Sequence, residues 1–483
     1  MDEYQPLATD LEADVAVLGG GIAGLTAALL LKRDGARVAV IEAARVGRGV
    51  SGCTTAKVSA LQSTMYTTIT GRHGTEVASV YAEASVAGVE RVATLASDED
   101  LDCDLSRRRA YTYAAEASER ESVAEEADAA ERAGLPVEQV AGPDVPYPVH
   151  GAVRLAEQLQ LHPVRYAQGL AAAVDGDGSK VYELTRALSV EEGNPSCVRT
   201  SRGRVHAEHV VVATHYPVFD RGLYFARLEP QRSYCLAAQL RRGRPPQDMS
   251  ISAGETTRSI RSYEDLLIVG GEGHPAGSAQ ATQVRFDRLE AFARAHWDVE
   301  SVTHRWSAQD PVPYDHLPMV GPYRPGSSRL WVTTGFMKWG LSSATFAAMI
   351  LADRVAGRDN AWASTFSPTR MSLGSAHKVA KLGGKFAVDL VGDRLRPPQA
   401  RSADKVPPGE ARIVQDGLAK VGVYRARDGT THAVSLRCTH MGCLLRFNAA
   451  ERSWDCPCHG SRFAVDGTVL EGPAVDPLAR RHT

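Results

Sequence analysis

The first strong hydrophobic pattern covers residues 14–42. A short apolar run over residues 14–18 predicts a buried parallel strand. A glycine-rich turn follows, then an alanine- and leucine-rich stretch, then a second apolar run over residues 38–41 that ends at Glu42. This order predicts a strand, a helix and a second strand of an α/β domain with a parallel sheet.

Later parts of the chain show other patterns of apolar and polar residues. Residues 77–98 and 113–134 are rich in alanine and glutamate, which predicts helices. Residues 224–240 and 249–273 alternate between apolar and polar positions, which predicts strands of an antiparallel sheet. A further strand is expected over residues 330–334, with a helix starting near Leu341. Short strands and turns are expected over residues 408–483.

The glycines between the first strand and helix have a spacing that chemistry explains. Gly19 permits a tight turn, Gly21 lets the backbone approach a pyrophosphate, and Gly24 lets the helix pack closely on the strand. The helix N-terminus then offers N–H groups to the phosphates. Glu42 lies 18 residues beyond Gly24, near the usual position for binding a ribose hydroxyl. The segment is therefore predicted to bind a dinucleotide, and the acid disfavours the 2′-phosphate of NADP.

Composition narrows the class of protein. The chain has 483 residues, a net charge of −2 and 43% apolar residues, so it can form about three domain-sized units with real cores. Nothing in this charge points to nucleic acid. No run of 18 apolar residues predicts a membrane span, and the acidic first residues do not resemble an export signal, so a cytoplasmic location is expected.

Two short segments near residue 450 carry metal-ligand chemistry. Cys438 and His440 form a C-x-H pair, and after fifteen further residues Cys456 and His459 form a C-x-x-H pair. Two thiolates on one iron and two imidazoles on the other make a Rieske [2Fe-2S] centre. A structural zinc site also uses two cysteines and two histidines, but zinc patterns usually present Cys–Cys and His–His pairs. The alternation favours the iron–sulfur cluster.

Residues 438–461 resemble the disulfide-bridged Rieske proteins of quinol-oxidising respiratory complexes. The resemblance implies that Cys438, His440, Cys456 and His459 are the cluster ligands. It also implies a disulfide between Cys443 and Cys458, the second cysteine of each loop.

The first part of the chain, roughly residues 12–365, resembles the FAD-binding D-amino-acid-oxidase superfamily. The resemblance rests on the dinucleotide motif, the small and hydroxylated loop after Glu42, the Ala–Thr end of a buried strand and a second strand–glycine–helix unit near residue 335. It implies FAD as the cofactor. Residues implied to contact FAD, in addition to the motif residues Gly19, Gly21, Gly24 and Glu42, are Gly52, Thr54, Thr55, Thr214, Gly335, Gly340 and Leu341.

No catalytic base is evident in the sequence. Two weak catalytic candidates are Arg261, as a partner for a substrate carboxylate, and Lys338, which stands where the superfamily usually has histidine and could be a cation near flavin N1. Both residues have a structural alternative, a packing arginine and a solvated surface lysine. Gly271 and Gly273 faintly suggest a second nucleotide site, although no acid follows at the required distance.

The expected organisation is an α/β fold in three parts. Residues 1–370 form a Rossmann-like, glutathione-reductase-type FAD domain interleaved with an antiparallel-sheet substrate domain. Residues 371–407 form a linker helix and a Pro-rich connector, and residues 408–483 form an all-β Rieske domain.

The whole chain resembles bacterial FAD-dependent oxidoreductases with a C-terminal Rieske domain. This implies oxidation of a C–N bond in a small amine or amino acid, with electrons passing from FAD to the cluster and on to an external protein or quinone. Two alternatives stay open. Ferredoxin could feed a reductive flavoenzyme through the Rieske domain, or the chain could be a pure electron-transfer protein.

Overall fold

Helices and strands are interspersed through the first part of the chain, and the described residues after 410 form short strands. The computed structural model describes residues 3–219, 222–276, 282–370, 399–400, 402–416 and 419–481. The strands of these residues are β1 Leu11–Leu18, β2 Val38–Ile41, β3 Lys57–Val58, β4 Ser106–Tyr113, β5 Glu138–Val140, β6 Ala152–Gln160, β7 Lys180–Tyr182, β8 Ala187–Glu191, β9 Ser196–Thr200, β10 Arg204–Val212, β11 Leu228–Leu240, β12 Met249–Ser252, β13 Arg258–Tyr263, β14 Leu266–Pro275, β15 Val299–Pro313, β16 Met319–Pro322, β17 Leu330–Thr334, β18 Ala411–Asp416, β19 Ala419–Arg425, β20 Thr431–Ser435, β21 Arg446–Asn448, β22 Ser453–Asp455, β23 Arg462–Ala464 and β24 Val469–Glu471. The α-helices are α1 Ile22–Arg33, α2 Val50–Cys53, α3 Met65–His73, α4 Thr75–Asp98, α5 Arg120–Arg132, α6 Pro163–Val174, α7 Thr282–His296, α8 Gly340–Val355 and α9 Ala363–Phe366.

The first sheet is the nucleotide-binding scaffold. Its order is β16-β17-β10-β1-β2-β7, with β8 and β9 attached to β10. Strands β17, β10, β1, β2 and β7 run parallel, so their carboxyl ends meet at one edge. The aliphatic residues of β1 are buried on both faces of the sheet, which explains why the strand reads as an unbroken apolar run. Val15 and Val17 belong to the core that contains α1, and Ala16 and Leu18 belong to a second core on the other face.

The second sheet has the order β15-β11-β14-β13-β12-β4-β6-β3, with β5 paired to β6. It is largely antiparallel, as the alternating pattern predicts, and β12 pairs with β4 in parallel. The α/β class and the antiparallel second sheet are therefore confirmed.

The Rieske domain contains two small antiparallel sheets. One has the order β18-β19-β20 and the other the order β21-β22-β23-β24. Trp454 and Phe463 are fully buried between them and form the centre of a separate hydrophobic core. The all-β expectation for this domain is confirmed.

One local expectation was wrong, and one faint suggestion finds no support. The helix predicted over residues 113–134 begins only at Arg120, because Tyr113 is the last residue of β4 and pairs with Ala152. Gly271 and Gly273 lie inside β14, so no strand–turn–helix unit exists there for a second nucleotide. The predicted linker helix over residues 371–395 lies outside the described residues, and the boundaries at 370 and 408 stay predictions. Within the described part of the chain, no helix is both long and apolar enough to cross a membrane.

A buried carboxyl group joins two helices of the region between the sheets. Glu126 of α5 is fully buried and accepts hydrogen bonds from the backbone N–H groups of Tyr66 and Thr67, in the first turn of α3. The Thr67 hydroxyl donates a third bond. Burial raises the pKa of Glu126 to about 7, although these three donors act in the opposite direction.

We predict that Glu126→Gln changes the pH dependence of stability. Because the pKa of Glu126 is raised on folding, its contribution is complete below the unfolded value near 4.5 and is lost as the pH rises through about 7. Between pH 5 and pH 8 the wild-type protein should lose about 3 kcal/mol relative to the glutamine variant. Thermal unfolding of both proteins across this range measures the difference. The exposed neighbour Glu125→Gln is the control, and parallel curves for Glu126→Gln and wild type would contradict the prediction.

Candidate functional site

The dinucleotide turn has the geometry that its glycines predict. Gly19 has φ of +116°, and a Cβ atom there would lie 2.4 Å from the carbonyl oxygen of Ala213. A Cβ atom on Gly24 would lie 2.0 Å from the Gly19 carbonyl oxygen, so both positions exclude any side chain. Strand ends, turn and helix α1 therefore pack without a gap.

Glu42 organises the same turn. Its carboxylate accepts hydrogen bonds from the backbone N–H groups of Gly20, at 2.7 Å, and Ala44, at 2.7 Å. Desolvation raises the pKa of Glu42, while these two donors lower it. The Ser51 hydroxyl accepts the N–H of Ile22 at the N-terminus of α1. Sequence reasoning did not assign Ser51, whose place over the helix end arises from the way the second loop folds back.

The other residues predicted to contact FAD lie around the carboxyl edge of the parallel strands. Gly52 packs on the backbone of Gly47, and the Thr54 hydroxyl accepts a hydrogen bond from the backbone N–H of Ala56. Thr214 directly follows β10 and Ala213, next to β1. On the far side of β10, β17 ends before Gly335, and α8 begins at Gly340, followed by the buried Leu341. The structure thus provides a continuous edge of glycines, hydroxyls and two helix N-termini that fits a long dinucleotide. The assignment of each residue to FAD stays a prediction.

Lys57 is a feature that sequence reasoning missed. It is nearly fully buried, its ammonium donates to the Ser250 carbonyl at 3.1 Å, and it lies 5.8 Å from the ring centre of Trp339. Burial lowers the pKa of Lys57 to about 7, and the neighbouring Arg261 acts in the same direction. A lysine with this pKa can gain or lose a proton near neutral pH. The burial of Lys57 could not be predicted from the residues around it, because the strands that cover it are far away in the chain.

Arg261 and Lys338, the two weak catalytic candidates, occupy different environments. The guanidinium of Arg261 is buried and donates to the backbone carbonyls of Ala56 and Leu161. Lys338 has φ of +74°, its side chain is exposed, and its ammonium lies beside Gly273 of β14. The space next to Lys338, Ser233, Gly273 and Asp310 is called the cleft below. The two residues do not form one site, and only Lys338 presents its charge to an open space.

The cleft around Lys338 contains further polar groups. The pKa of Lys338 is lowered by desolvation, and the carboxylate of Asp310 opposes this shift. The Lys338 backbone N–H donates to Asp310 at 3.2 Å. The hydroxyl of Ser233 is buried here and makes no hydrogen bond to any described residue. An exposed ammonium and a hydroxyl that bonds to no described residue are groups that a small anionic ligand can use.

The cluster-binding loops have matching backbone geometry. In the first loop the N–H of Cys438 donates to the carbonyl of Cys443, and the N–H of Gly442 donates to the carbonyl of Cys438. The second loop repeats both bonds. There Cys456 donates to Ser461 and Gly460 donates to Cys456. Gly442 and Gly460 both have positive φ, near +80°, which allows the loops to close.

The predicted ligands meet between these two loops. Cys438 and Cys456 are free and buried, and a hydrogen bond between their thiols lowers the pKa of Cys438 to about 6 and raises that of Cys456. The rings of His440 and His459 are 5.0 Å apart, and the Nδ1 atoms of both rings are buried. Two thiols facing two imidazoles is the donor set of a Rieske cluster.

Two further groups lie close to the predicted ligands. A disulfide joins Cys443 and Cys458, and its sulfur atoms lie within 4.8 Å of the Cys456 sulfur. The Ser461 hydroxyl is fully buried, accepts the N–H of Ala474 and hydrogen bonds to Cys438. It therefore lies where it can donate to a ligand sulfur, which tunes the potential of such centres.

The two histidines have different surroundings outside the cluster site. His459 is 1% exposed, with the Tyr216 and Phe225 rings of the FAD half 6.3 Å and 5.9 Å from its own. His440 is half-buried and lines a surface pocket of about 250 Å³. The pocket walls are Leu188, Ser189, Val190, Val218, Phe219, Thr439, Pro473, Ala474 and Val475.

A charged interface fixes the Rieske domain on the second sheet. Arg232 of β11 is 3% exposed and bonds to Glu451 at 2.8 Å, and its guanidinium lies 3.7 Å from Asp455. Ser307 of β15 donates to the same Glu451 carboxylate. Burial opposes ionisation of Asp455, but Arg462 and Arg232 hold the pKa of Asp455 below its usual value. Asp455 is therefore held in its charged form, and both carboxylates are within ion-pair distance of the Arg232 guanidinium.

Alternation along β11 and β15 separates the interface from the cleft. Arg232 and Gln309 are direct partners in the ladder and both contact the Rieske domain. The next residues, Ser233 and Asp310, face the cleft with Lys338. Because successive residues of a strand point to opposite faces, one pair of strands serves both regions.

Comparisons with known proteins agree with this architecture. Residues 14–354 match the model of the FAD dependent oxidoreductase family, DAO, and residues 398–481 match that of the Rieske [2Fe-2S] domain. The chain is 32% identical to the Rieske 2Fe-2S iron-sulfur protein YhfW of Bacillus subtilis, over 99% of this chain and 95% of that protein.

Two further likenesses concern the FAD half. Gamma-glutamylputrescine oxidoreductase of Escherichia coli is 28% identical over 46% of this chain and 54% of its own length. The structure of glycine oxidase from Geobacillus kaustophilus superposes with a TM-score of 0.65 at 19% identity, over 75% of this chain and all of that chain. At that identity the likeness shows the fold alone. The chain therefore belongs to the FAD dependent oxidoreductase family, DAO, and carries a Rieske [2Fe-2S] domain after the family's fold.

Proposed function

We propose that this FAD-dependent oxidoreductase oxidises a C–N bond in a small amine or amino acid and passes the electrons through its Rieske cluster to an external acceptor. The observation that carries the proposal is the docking of the Rieske domain on the FAD half, with His459 buried against Tyr216 and Phe225. A domain held in this way has a redox group next to the substrate-oxidising half of the same chain. The named activity of one relative, gamma-glutamylputrescine oxidoreductase, supports a nitrogen-containing substrate.

The two cofactors divide the chemistry. FAD accepts a hydride, which carries two electrons, and a [2Fe-2S] cluster transfers electrons one at a time. The protein supplies the cleft, the orientation of the substrate and the distance between the two groups. A cytoplasmic location stays a prediction from the sequence.

The cleft residues favour a substrate that carries a carboxylate. Lys338 offers an ammonium open to the cleft, and Ser233 offers a hydroxyl that bonds to no described residue. Arg261 is occupied by the carbonyls of Ala56 and Leu161, so it is the weaker partner for an anion. Lys338 would hold the substrate by its carboxylate and thereby orient the C–N bond towards the flavin.

The pocket at His440 is where the external acceptor would reach the cluster. His459 is closed off by the FAD half, whereas His440 is half-buried and lines an open pocket with mainly apolar walls. An electron would therefore arrive from the side of His459 and leave past His440. A small apolar acceptor, such as a quinone ring, or an apolar protein surface fits these walls.

We predict that a substrate reduces the flavin before the cluster. In anaerobic stopped-flow experiments with a panel of amines and amino acids, the flavin absorbance should bleach first and the reduced cluster should appear afterwards. His459→Ala should keep the first phase and lose the second, because it removes one cluster ligand. His304→Ala, at an exposed histidine, is the control. Reduction of the cluster before the flavin would contradict the proposed direction and favour a reductive enzyme fed through the Rieske domain.

We predict that Lys338→Met weakens the binding of small carboxylates. A charge-assisted hydrogen bond contributes roughly 1.5–3 kcal/mol, so affinity should fall by about tenfold or more. Titration of the oxidised holoenzyme with acetate or benzoate, followed by the flavin spectrum, measures this. Lys338→Arg should retain part of the affinity, and Lys180→Met, at an exposed lysine, should retain all of it. Equal affinities for Lys338→Met and wild type would exclude Lys338 from the carboxylate site.

We predict that Leu188→Trp slows reoxidation by bulky acceptors several-fold, because a larger side chain would narrow the pocket beside His440. The reductive half-reaction should keep its wild-type rate. Turnover with a water-soluble quinone, measured beside the flavin bleaching rate, separates the two effects. Val86→Trp, at an exposed valine of α4, is the matched control. Unchanged quinone turnover in Leu188→Trp would place the exit elsewhere.

A further inference from the structure

A chain of three hydrogen bonds joins the cluster loop to the carboxyl edge of the parallel sheet. Its members are the Gly460 carbonyl, Gln309, His215 and Thr334. We propose that Gln309 and His215 couple the flavin site to the Rieske cluster electronically, through a continuous path of covalent and hydrogen bonds. This inference rests on the proposed transfer of electrons between the two cofactors, but not on the substrate or on the direction of flow.

The first contact is at the cluster loop. The Gln309 side-chain amide donates to the Gly460 carbonyl at 3.0 Å, and Gly460 directly follows the predicted ligand His459. Gly460 has φ of +76°, and a Cβ atom there would lie 2.1 Å from the Gln309 amide nitrogen. The loop and the Gln309 side chain are therefore in direct contact, with no room for a larger residue at position 460.

The second contact passes through the backbone of β15. The carbonyl of Gln309 lies 2.6 Å from Nε2 of His215. Because a carbonyl can only accept, His215 must carry its proton on Nε2 and donate it. A further contact fixes the Gln309 side chain, because its amide oxygen accepts a hydrogen bond from the Arg232 guanidinium at 3.4 Å.

The third contact ends at the predicted FAD edge. The carbonyl of His215 accepts a hydrogen bond from the hydroxyl of Thr334, the last residue of β17. His215 directly follows Thr214, and Thr334 directly precedes Gly335, so the path ends between two residues predicted to contact FAD. His215 also has φ of +65°, in the left-handed region, and both of its hydrogen bonds depend on that conformation being held.

In the coupled step one electron passes between the two cofactors. The cluster would supply one ferric/ferrous change and the flavin would lose or gain that electron, so the residues of the path would carry the electron without any bond breaking. Electronic coupling falls off more slowly through covalent and hydrogen bonds than across gaps between packed groups. The Phe225 and His459 rings, with centres 5.9 Å apart, offer such a gap as the competing route.

The test measures electron transfer without any substrate. Holoenzyme is reduced by a single electron with a deazaflavin flash, and the flavin and cluster absorbances are followed as they equilibrate. Gln309→Leu removes the donor to Gly460, and Thr334→Val removes the hydroxyl with little change in volume. Each should slow equilibration at least tenfold. The midpoint potentials of both cofactors and the hydrogen exchange of the Rieske domain, measured alongside, should stay close to wild type.

Matched controls separate coupling from packing. Gln283→Leu and Thr94→Val remove the same groups at surface positions and should equilibrate at the wild-type rate. Phe225→Leu tests the competing route. The inference fails if Gln309→Leu and Thr334→Val equilibrate normally, if their slower rates follow altered potentials or loss of docking, or if only Phe225→Leu is slow. Absence of flavin–cluster transfer in the wild type would overturn the proposed electron flow as well, whereas wild-type transfer with unaffected variants would overturn the coupling path alone.

Discussion

The buried guanidinium of Arg232 is the contact on which the arrangement of the two redox domains depends. Removing such a group from water is costly unless it is paired, and Glu451 and Asp455 of the Rieske domain provide the pairing. Arg462 bonds to the same two carboxylates from inside the Rieske domain. Since an unpaired buried charge costs several kcal/mol, the interface has one favoured register. That register turns the loop of His459 towards the FAD half.

Docking makes an otherwise regular cluster site asymmetric. The two cluster loops repeat the same pair of backbone hydrogen bonds, and each closes through a glycine with positive φ. The FAD half covers His459 and leaves His440 beside an open pocket, which gives the proposed electron flow an entry and an exit.

The strands β11 and β15 link substrate chemistry to electron transfer because they present different residues on their two faces. Arg232 and Gln309 contact the Rieske domain, while Ser233 and Asp310 line the cleft of Lys338. A shift of one residue in this ladder would exchange the two sets. The pairing register of one antiparallel pair therefore maintains both the cleft and the interface.

The sequence by itself determined the features that depend on short spacings. Two motifs could be recognised because their groups come together within one loop or one strand–helix unit. They are the dinucleotide turn from Gly19 to Glu42 and the ligand pairs Cys438/His440 and Cys456/His459. The strand at 330–334 and the helix beginning beside Leu341 could also be predicted, from local patterns of apolar residues.

Only the tertiary structure decided the roles of residues whose partners are distant in the chain. Arg232 belongs to the interface because Glu451, 219 positions away in the chain, folds against it. Arg261 donates to the backbone carbonyls of Ala56 and Leu161, which lie 205 and 100 positions away in the chain. The hydrogen bond between His215 and Gln309 joins residues 94 positions apart. A local pattern gives the type and spacing of side chains, but which of them meet is set by sheet register and domain docking. Those depend on the free energy of the whole packed chain.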